Sequence, residues 1–173
     1  MSEIIKVKSG SKYEDLNSYS RVVVAGDMIF VSNTAGRNYK TRAIASDAKG
    51  QAEQAFSNVE GALAAVGASL KDVVAVKVFV PDIADMEEVN EVVGRKFRGI
   101  DPANTTTCTP LGQPELKVEF EMTAYKRRQP GAAEKRISVD LSGAGKPCLR
   151  SSSSEADSAA LRQPTRSRAP AIP

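Results

Sequence analysis

The chain changes character near residue 128, and that break decides how much of it can fold. All nine aromatic residues lie between Tyr13 and Tyr125, and hydrophobic periodicity runs until about Lys126. Beyond that point the sequence becomes RRQPGAAEKR and then a polar stretch; residues 129–173 hold eight Ser, eight Ala and five Pro. Such a segment has too little bulky apolar surface to offset the entropy of ordering it. The expected organisation is one folded domain over residues 1–128 and a low-complexity, disordered tail over 129–173. Within the tail, Ile137, Val139 and Leu141 alternate as a short edge strand would, but a stripe of three apolar residues reads as coil.

The formal net charge is +3, and its distribution removes most of its meaning. Residues 1–128 hold 17 Lys and Arg against 17 Asp and Glu, so the excess sits entirely in the tail. A neutral domain without a basic stripe is poor material for binding or cutting nucleic acid. Arg150, Arg162, Arg166 and Arg168 read as solvated tail charges. Histidine is absent and the two cysteines, Cys108 and Cys148, stand far apart in sequence. Four-ligand zinc sites, imidazole bases and a disulfide framework are therefore not expected. With no membrane-spanning run and no secretory leader in MSEIIKVKSG, the expected compartment is the cytoplasm.

Inside the domain, Arg21–Ala25 and Met28–Asn33 are β-rich runs joined by Gly26-Asp27, which suits a type II′ hairpin turn. From Asp47 to Val66, Ala52, Ala55, Phe56, Val59, Leu63 and Val66 recur at helical spacing, with Ser46 or Asp47 as cap and Gly67 as stop. Val73–Val80 is apolar on both faces except at Lys77, as in a strand buried from both sides. Asp85 then caps a second helix, Met86–Phe97, broken by Asp101-Pro102. Strands over Thr105–Thr109 and Lys117–Lys126 complete the order. In the last one Val118, Phe120, Met122 and Ala124 point one way and Glu119, Glu121, Thr123 and Tyr125 the other. The class is α+β: a mixed sheet with two helices packed on one face. The other face must be solvated or packed on another subunit, and the apolarity of Val73–Val80 favours a subunit contact.

Five segments carry a resemblance: GDMIFVS, QAEQAFSNVEGALAAVGASLKDVVAVKVFV, MEEVNEVVGRKF, DPANTTTCTPL and VEFEMTAYKR. Together they make the stretch from about Tyr19 to Lys126 similar to the RidA/YjgF family of reactive-intermediate deaminases, formerly labelled L-PSP endoribonucleases. The resemblance implies a chorismate-mutase-like fold of the bacillus type and a homotrimer with a barrel of sheets and sites in the clefts between subunits. It also implies hydrolysis of enamines and imines, such as 2-aminoacrylate, to keto acids and ammonia without a cofactor.

Carried over position by position, Glu119 matches the glutamate that positions the attacking water. Tyr19 matches a tyrosine lining the cleft, Asn90 the asparagine of the second helix, and Thr106 a main-chain donor. The family's arginine, which clamps a substrate carboxylate, falls at Asn104, and an amide cannot replace that charge-assisted pair. Ser32-Asn33-Thr34 stands where family members often show Ser-Gly-Gln, which makes Asn33 a changed wall of the cleft. Arg37 and Arg42, in the loop 36–46, read as solvated charges, with entry into the cleft as the alternative. Cys108 reads as structural, because no histidine is present to activate it. Two functions are thus expected to compete. One is a cofactor-independent enamine/imine deaminase with an altered substrate preference. The other is a non-catalytic trimer that binds a metabolite or a protein.

Overall fold

The computed structural model describes residues 4–126, and the tail residues discussed above, Cys148 included, lie outside them. Six strands form one sheet: β1 (Ile4–Val7), β2 (Val22–Ala25), β3 (Met28–Ala35), β4 (Val73–Val80), β5 (Ala103–Cys108) and β6 (Glu119–Tyr125). Their spatial order is β1-β2-β3-β6-β4-β5. Every neighbouring pair is antiparallel except β4 with β5. Three helices accompany it: α1 (Lys12–Leu16), α2 (Ala48–Ala64) and α3 (Met86–Lys96).

The hairpin follows from Gly26, whose φ of +62° supplies the left-handed position that the turn requires. Helix α2 starts where Asp47 accepts a hydrogen bond from the Gly50 N–H at 2.6 Å, a side-chain cap for an otherwise unpaired donor. It stops before Gly67, which has a φ of +71°. Phe56 of α2 lies 4.7 Å from the Phe120 ring and 5.4 Å from Phe97, so one aromatic cluster joins both long helices to the sheet. Ile29, Val31, Val76, Val78, Phe120 and Met122 supply the sheet's share of this core.

The expected inward and outward sets of β6 are both observed: Phe120, Met122 and Ala124 are buried, while Glu119, Glu121, Thr123 and Tyr125 are not. Two expectations need correction. Asp85 does not cap α3 with its side chain. A short 3₁₀ turn, Ile83–Asp85, precedes the helix and is capped by Asp82, which accepts from the Ala84 N–H at 2.9 Å. The Asp85 carboxylate instead receives Lys117 at 2.9 Å, tying α3 to the chain leading into β6. Nor is β4 buried on both sides within the chain, since its second face is left uncovered. Val74 is exposed on it, as are Phe30 of β3 and Tyr125 of β6, and Lys77 pairs with Glu121 there. Strand β5 lies at the sheet edge with all six residues exposed.

Candidate functional site

The site lies at the end of the sheet where β2 and β6 begin and β3 finishes. Along β3 the register against β6 is regular up to Val31 opposite Met122 and resumes at Thr34 opposite Phe120. Ser32 and Asn33 therefore oppose the single residue Glu121, which is a β-bulge. The extra residue re-aims the strand, and Asn33 Nδ2 donates to Glu119 Oε2 at 2.6 Å.

Around this pair opens a cleft of about 360 Å³. Tyr19 and Arg21 line it from the segment just before β2, and Arg37 and Arg42 line it from the loop after β3. Burial pushes the Glu119 carboxyl above the ordinary glutamate range, opposed by the Asn33 hydrogen bond and the Arg21 charge. Burial likewise raises the Tyr39 phenol, again against the pull of Arg21.

Helix α2 holds the cleft walls through polar residues set within its core-facing side. Gln51 donates to the carbonyls of Ala45 and Glu115 and accepts from the Lys117 N–H. Asn58 donates to the carbonyls of Ala35 and Arg37. Both side chains are nearly fully buried, so each loop carbonyl they meet would otherwise lack water.

The three arginines of the cleft differ in how far they are engaged. Arg21 is buried and bonded on every side. Arg37 Nη2 pairs with Glu115 at 2.7 Å and bonds Gln113 at 3.0 Å. The Glu115 carboxylate is held below its usual range by a backbone N–H and by Arg37. Arg42 is exposed, and among the described residues its guanidinium has no ion pair or hydrogen bond. The reading as plain solvated loop charges is corrected for Arg37, which is paired, while Arg42 stays exposed to solvent; both line the cleft that holds Glu119.

Of the residues singled out from the sequence, Tyr19, Asn33 and Glu119 meet in the cleft. Asn104 and Thr106 do not; they lie on the edge strand, where Thr106 Oγ1 donates to Asn104 Oδ1 at 3.0 Å. Their register partners in β4 are Val76 and Val78, which face the helices, whereas Glu119 lies opposite Phe79 on the other face. Asn90 stands on the exposed side of α3 and does not line the cleft. Cys108 is exposed at the end of β5, its Sγ 3.6 Å from the Pro81 carbonyl.

Glu14, Arg21 and Tyr39 were not legible as site residues. The one usable signal was spacing: Tyr19 and Arg21 are two apart entering a strand, so a wall built on one includes the other. Among the described residues, no group of three or more His, Cys, Asp or Glu side chains is placed to hold a metal ion. No described helix is long and apolar enough to cross a membrane.

Fold and cleft together define an α+β protein with one helix-covered sheet and a carboxylate-bearing, arginine-walled cleft at the sheet's end. The family model described as Endoribonuclease L-PSP matches residues 10–126. A RutC family protein of Pyrococcus horikoshii is 31% identical over 127 residues, spanning 73% of this chain and 99% of that protein. The 2-iminobutanoate/2-iminopropanoate deaminase of Salmonella typhimurium is 30% identical over 115 residues, spanning 65% of this chain and 90% of the enzyme. Among solved structures, a YjgF/YER057c/UK114 family member from Mycobacterium tuberculosis matches with a TM-score of 0.65 and 35% identity, covering 71% of this chain and 99% of that one. The chain belongs to the Endoribonuclease L-PSP family, that of the YjgF and RutC proteins.

Proposed function

We propose that the protein hydrolyses reactive enamine and imine intermediates to carbonyl compounds and ammonia, without a cofactor, in the Glu119 cleft. The observation that carries this reading is the half-buried Glu119 carboxyl, raised above its ordinary range and oriented by Asn33. Relatives named as imine deaminases support the reaction class.

In the proposed reaction a water oxygen adds to the imine carbon while Glu119 takes a proton from the water. The C=N π electrons pass to the nitrogen of the protonated imine, leaving a neutral carbinolamine. Glu119 then returns its proton to the amine nitrogen, the C–N bond breaks to release ammonia, and the C=O bond forms as the hydroxyl proton passes back to the Glu119 carboxylate. A carboxylate whose pKa is raised above the ordinary glutamate range is a better acceptor of the water proton than an ordinary one. Tyr19 and Asn33 line the pocket around the reacting carbon.

The resemblance puts the family arginine at Asn104, so the cation that faces an anionic substrate is assigned to Arg42, whose guanidinium has no ion pair or hydrogen bond among the described residues. Arg42→Ala is expected to raise KM for 2-iminobutyrate about fivefold with kcat little changed. That corresponds to about 1 kcal/mol for an ion contact open to solvent. An imine lacking the carboxylate should show no such rise, and equal effects on both substrates would remove Arg42 from the assignment.

The reading includes a homotrimer. Its supports are the uncovered apolar sheet face with Phe30, Val74 and Tyr125 and the wholly exposed edge strand β5, both of which call for a partner. Asn90, Asn104 and Thr106 join the cleft in this proposal only as residues supplied by a neighbouring subunit. Light scattering should then give a mass near three times 18.4 kDa; a monomer at micromolar concentration would contradict the assembly.

The direct test generates 2-iminobutyrate or 2-aminoacrylate with a threonine/serine dehydratase and follows keto-acid release. The native protein should accelerate it. If it does not, while Asn104→Arg does, the scaffold is intact but serves another ligand, and the deaminase reading falls to the non-catalytic one.

A further inference from the structure

We propose that the buried Glu14–Arg21 pair is a positioning device for the cleft: it clamps the β3 bulge so that Asn33 is aimed at Glu119. The kinetic part of this inference rests on the deaminase reading; the structural part does not.

Glu14 is fully buried and Arg21 is 6% exposed. Charges so placed need complete pairing to be tolerated, and the partners are all identifiable. Glu14 accepts from the Ser9 N–H at 2.7 Å, the Ser9 hydroxyl at 2.6 Å and Arg21 Nε at 3.2 Å. Both terminal nitrogens of Arg21 bond residues of the site. Nη1 donates to the Asn33 carbonyl at 2.9 Å and the Thr34 hydroxyl at 3.0 Å, with the Ser32 carbonyl at 3.4 Å. Nη2 donates to the Tyr19 hydroxyl at 3.2 Å.

The bulge explains why a guanidinium is needed there. Where two residues oppose one, a strand loses its regular ladder partners and its carbonyls must find others. Ser32 and Asn33 are the residues of that irregularity and Thr34 is the first after it, and each bonds Arg21. A planar fork with five donors can span two carbonyls, a hydroxyl and a phenol at once, whereas an ammonium on a flexible stem holds one point. Asn33, fixed through its main chain, then presents its amide to Glu119 at 2.6 Å. Glu14 neutralises the guanidinium and fixes its roll, so it acts one step further back. Neither residue needs to touch the reacting atoms.

Arg21→Lys in the full chain is the test, with two readouts. The Asn33 side-chain amide resonance, identified by its loss in Asn33→Ala, should shift in Arg21→Lys toward that of a free amide. With 2-iminobutyrate, kcat should fall about tenfold or more while KM changes less than twofold. Arg21→Lys combined with Asn33→Ala should be no slower than Asn33→Ala alone, because both variants act through one contact. If Arg21→Lys does not fold, Glu14→Gln, which keeps the volume and one acceptor, carries the same comparisons. An unchanged Asn33 resonance in a folded variant would overturn the proposal whatever the activity. Additive kinetic losses would overturn it also. Absence of turnover in the native protein would count against the deaminase reading alone, leaving the resonance test standing.

Discussion

Glu119→Gln is expected to lower kcat for imine hydrolysis by about 10²- to 10⁴-fold and, at neutral pH, to raise the melting temperature. The two effects share one cause. Burial makes the charged form of Glu119 costly, and the Asn33 hydrogen bond and Arg21 charge offset only part of that cost. The folded protein thus binds the Glu119 proton more tightly than the unfolded chain does. Stability from this group is fully present below the ordinary glutamate pKa and is lost as pH rises through the raised folded value.

Glutamine keeps the size and the oxygen that Asn33 meets but carries no charge to desolvate. The stability gain should therefore be seen above the raised pKa and vanish in acid, where the native side chain is already protonated. Activity requires the opposite form. Hydrolysis by the native protein should rise with pH through a value above the ordinary glutamate range as the carboxylate becomes free to accept the proton of water. Thermal melts of both proteins across pH, beside the keto-acid assay, check the coupling. A variant inactive but no more stable at neutral pH would deny that desolvation sets the pKa. A fully active variant would remove Glu119 from the chemistry.

What the sequence disclosed was mostly local. The alternation through Phe120 and Met122, the Gly26-Asp27 turn and the Asp47 cap each depend on residues within a few positions of one another. They emerged at nearly the expected places. Glu119 was reachable too, through alternation and resemblance together.

The parts that escaped depend on distant pairs. Glu14 lies in the polar segment KYEDL, where nothing marks one carboxylate for complete burial; Arg21, seven residues on, and Ser9, five residues before, together make that burial possible. Arg21 opens a strand where a charged residue ordinarily faces water. The Ser32–Asn33 bulge is a mismatch in length between two strands some 90 residues apart, invisible in either alone. The lining role of Arg42 depends on where the loop 36–46 returns, which the Asn58 bonds to Ala35 and Arg37 help to fix. Asn104 and Thr106 show the converse case. The resemblance marks them for a site, yet within one chain they stand on the face opposite Glu119.

Gly36→Ala is expected to be the most damaging single methyl addition in the domain, and it reports on how the loop is held. A Cβ at Gly36 would lie 2.2 Å from the Gln51 carbonyl oxygen, with the Gln51 Cα at 2.6 Å. The obstructing atoms are the backbone of α2, which cannot turn aside as a side-chain end could. The chain leaving β3 must then lift off the helix, a misfit costing about 1–3 kcal/mol. For a domain of this size that is roughly 3–12 °C in melting temperature.

The damage should reach the cleft, because Gly36 lies between the two residues whose carbonyls Asn58 binds, Ala35 and Arg37. Withdrawing Arg37 from Glu115 and Gln113 would loosen the wall that carries Arg42, so KM should rise together with the loss of stability. Gly61→Ala is the matched control: its site in α2 is exposed and its added Cβ meets nothing within 4 Å. Alanine there should stabilise by about 0.5–1 kcal/mol, since glycine in a helix costs conformational entropy. Opposite signs at two glycines, read in one melting experiment, would separate close backbone packing from helix propensity. If Gly36→Ala melted no lower than the native protein, the close seat of the loop on α2 would be wrong, and with it the fixed placement of Arg37 and Arg42.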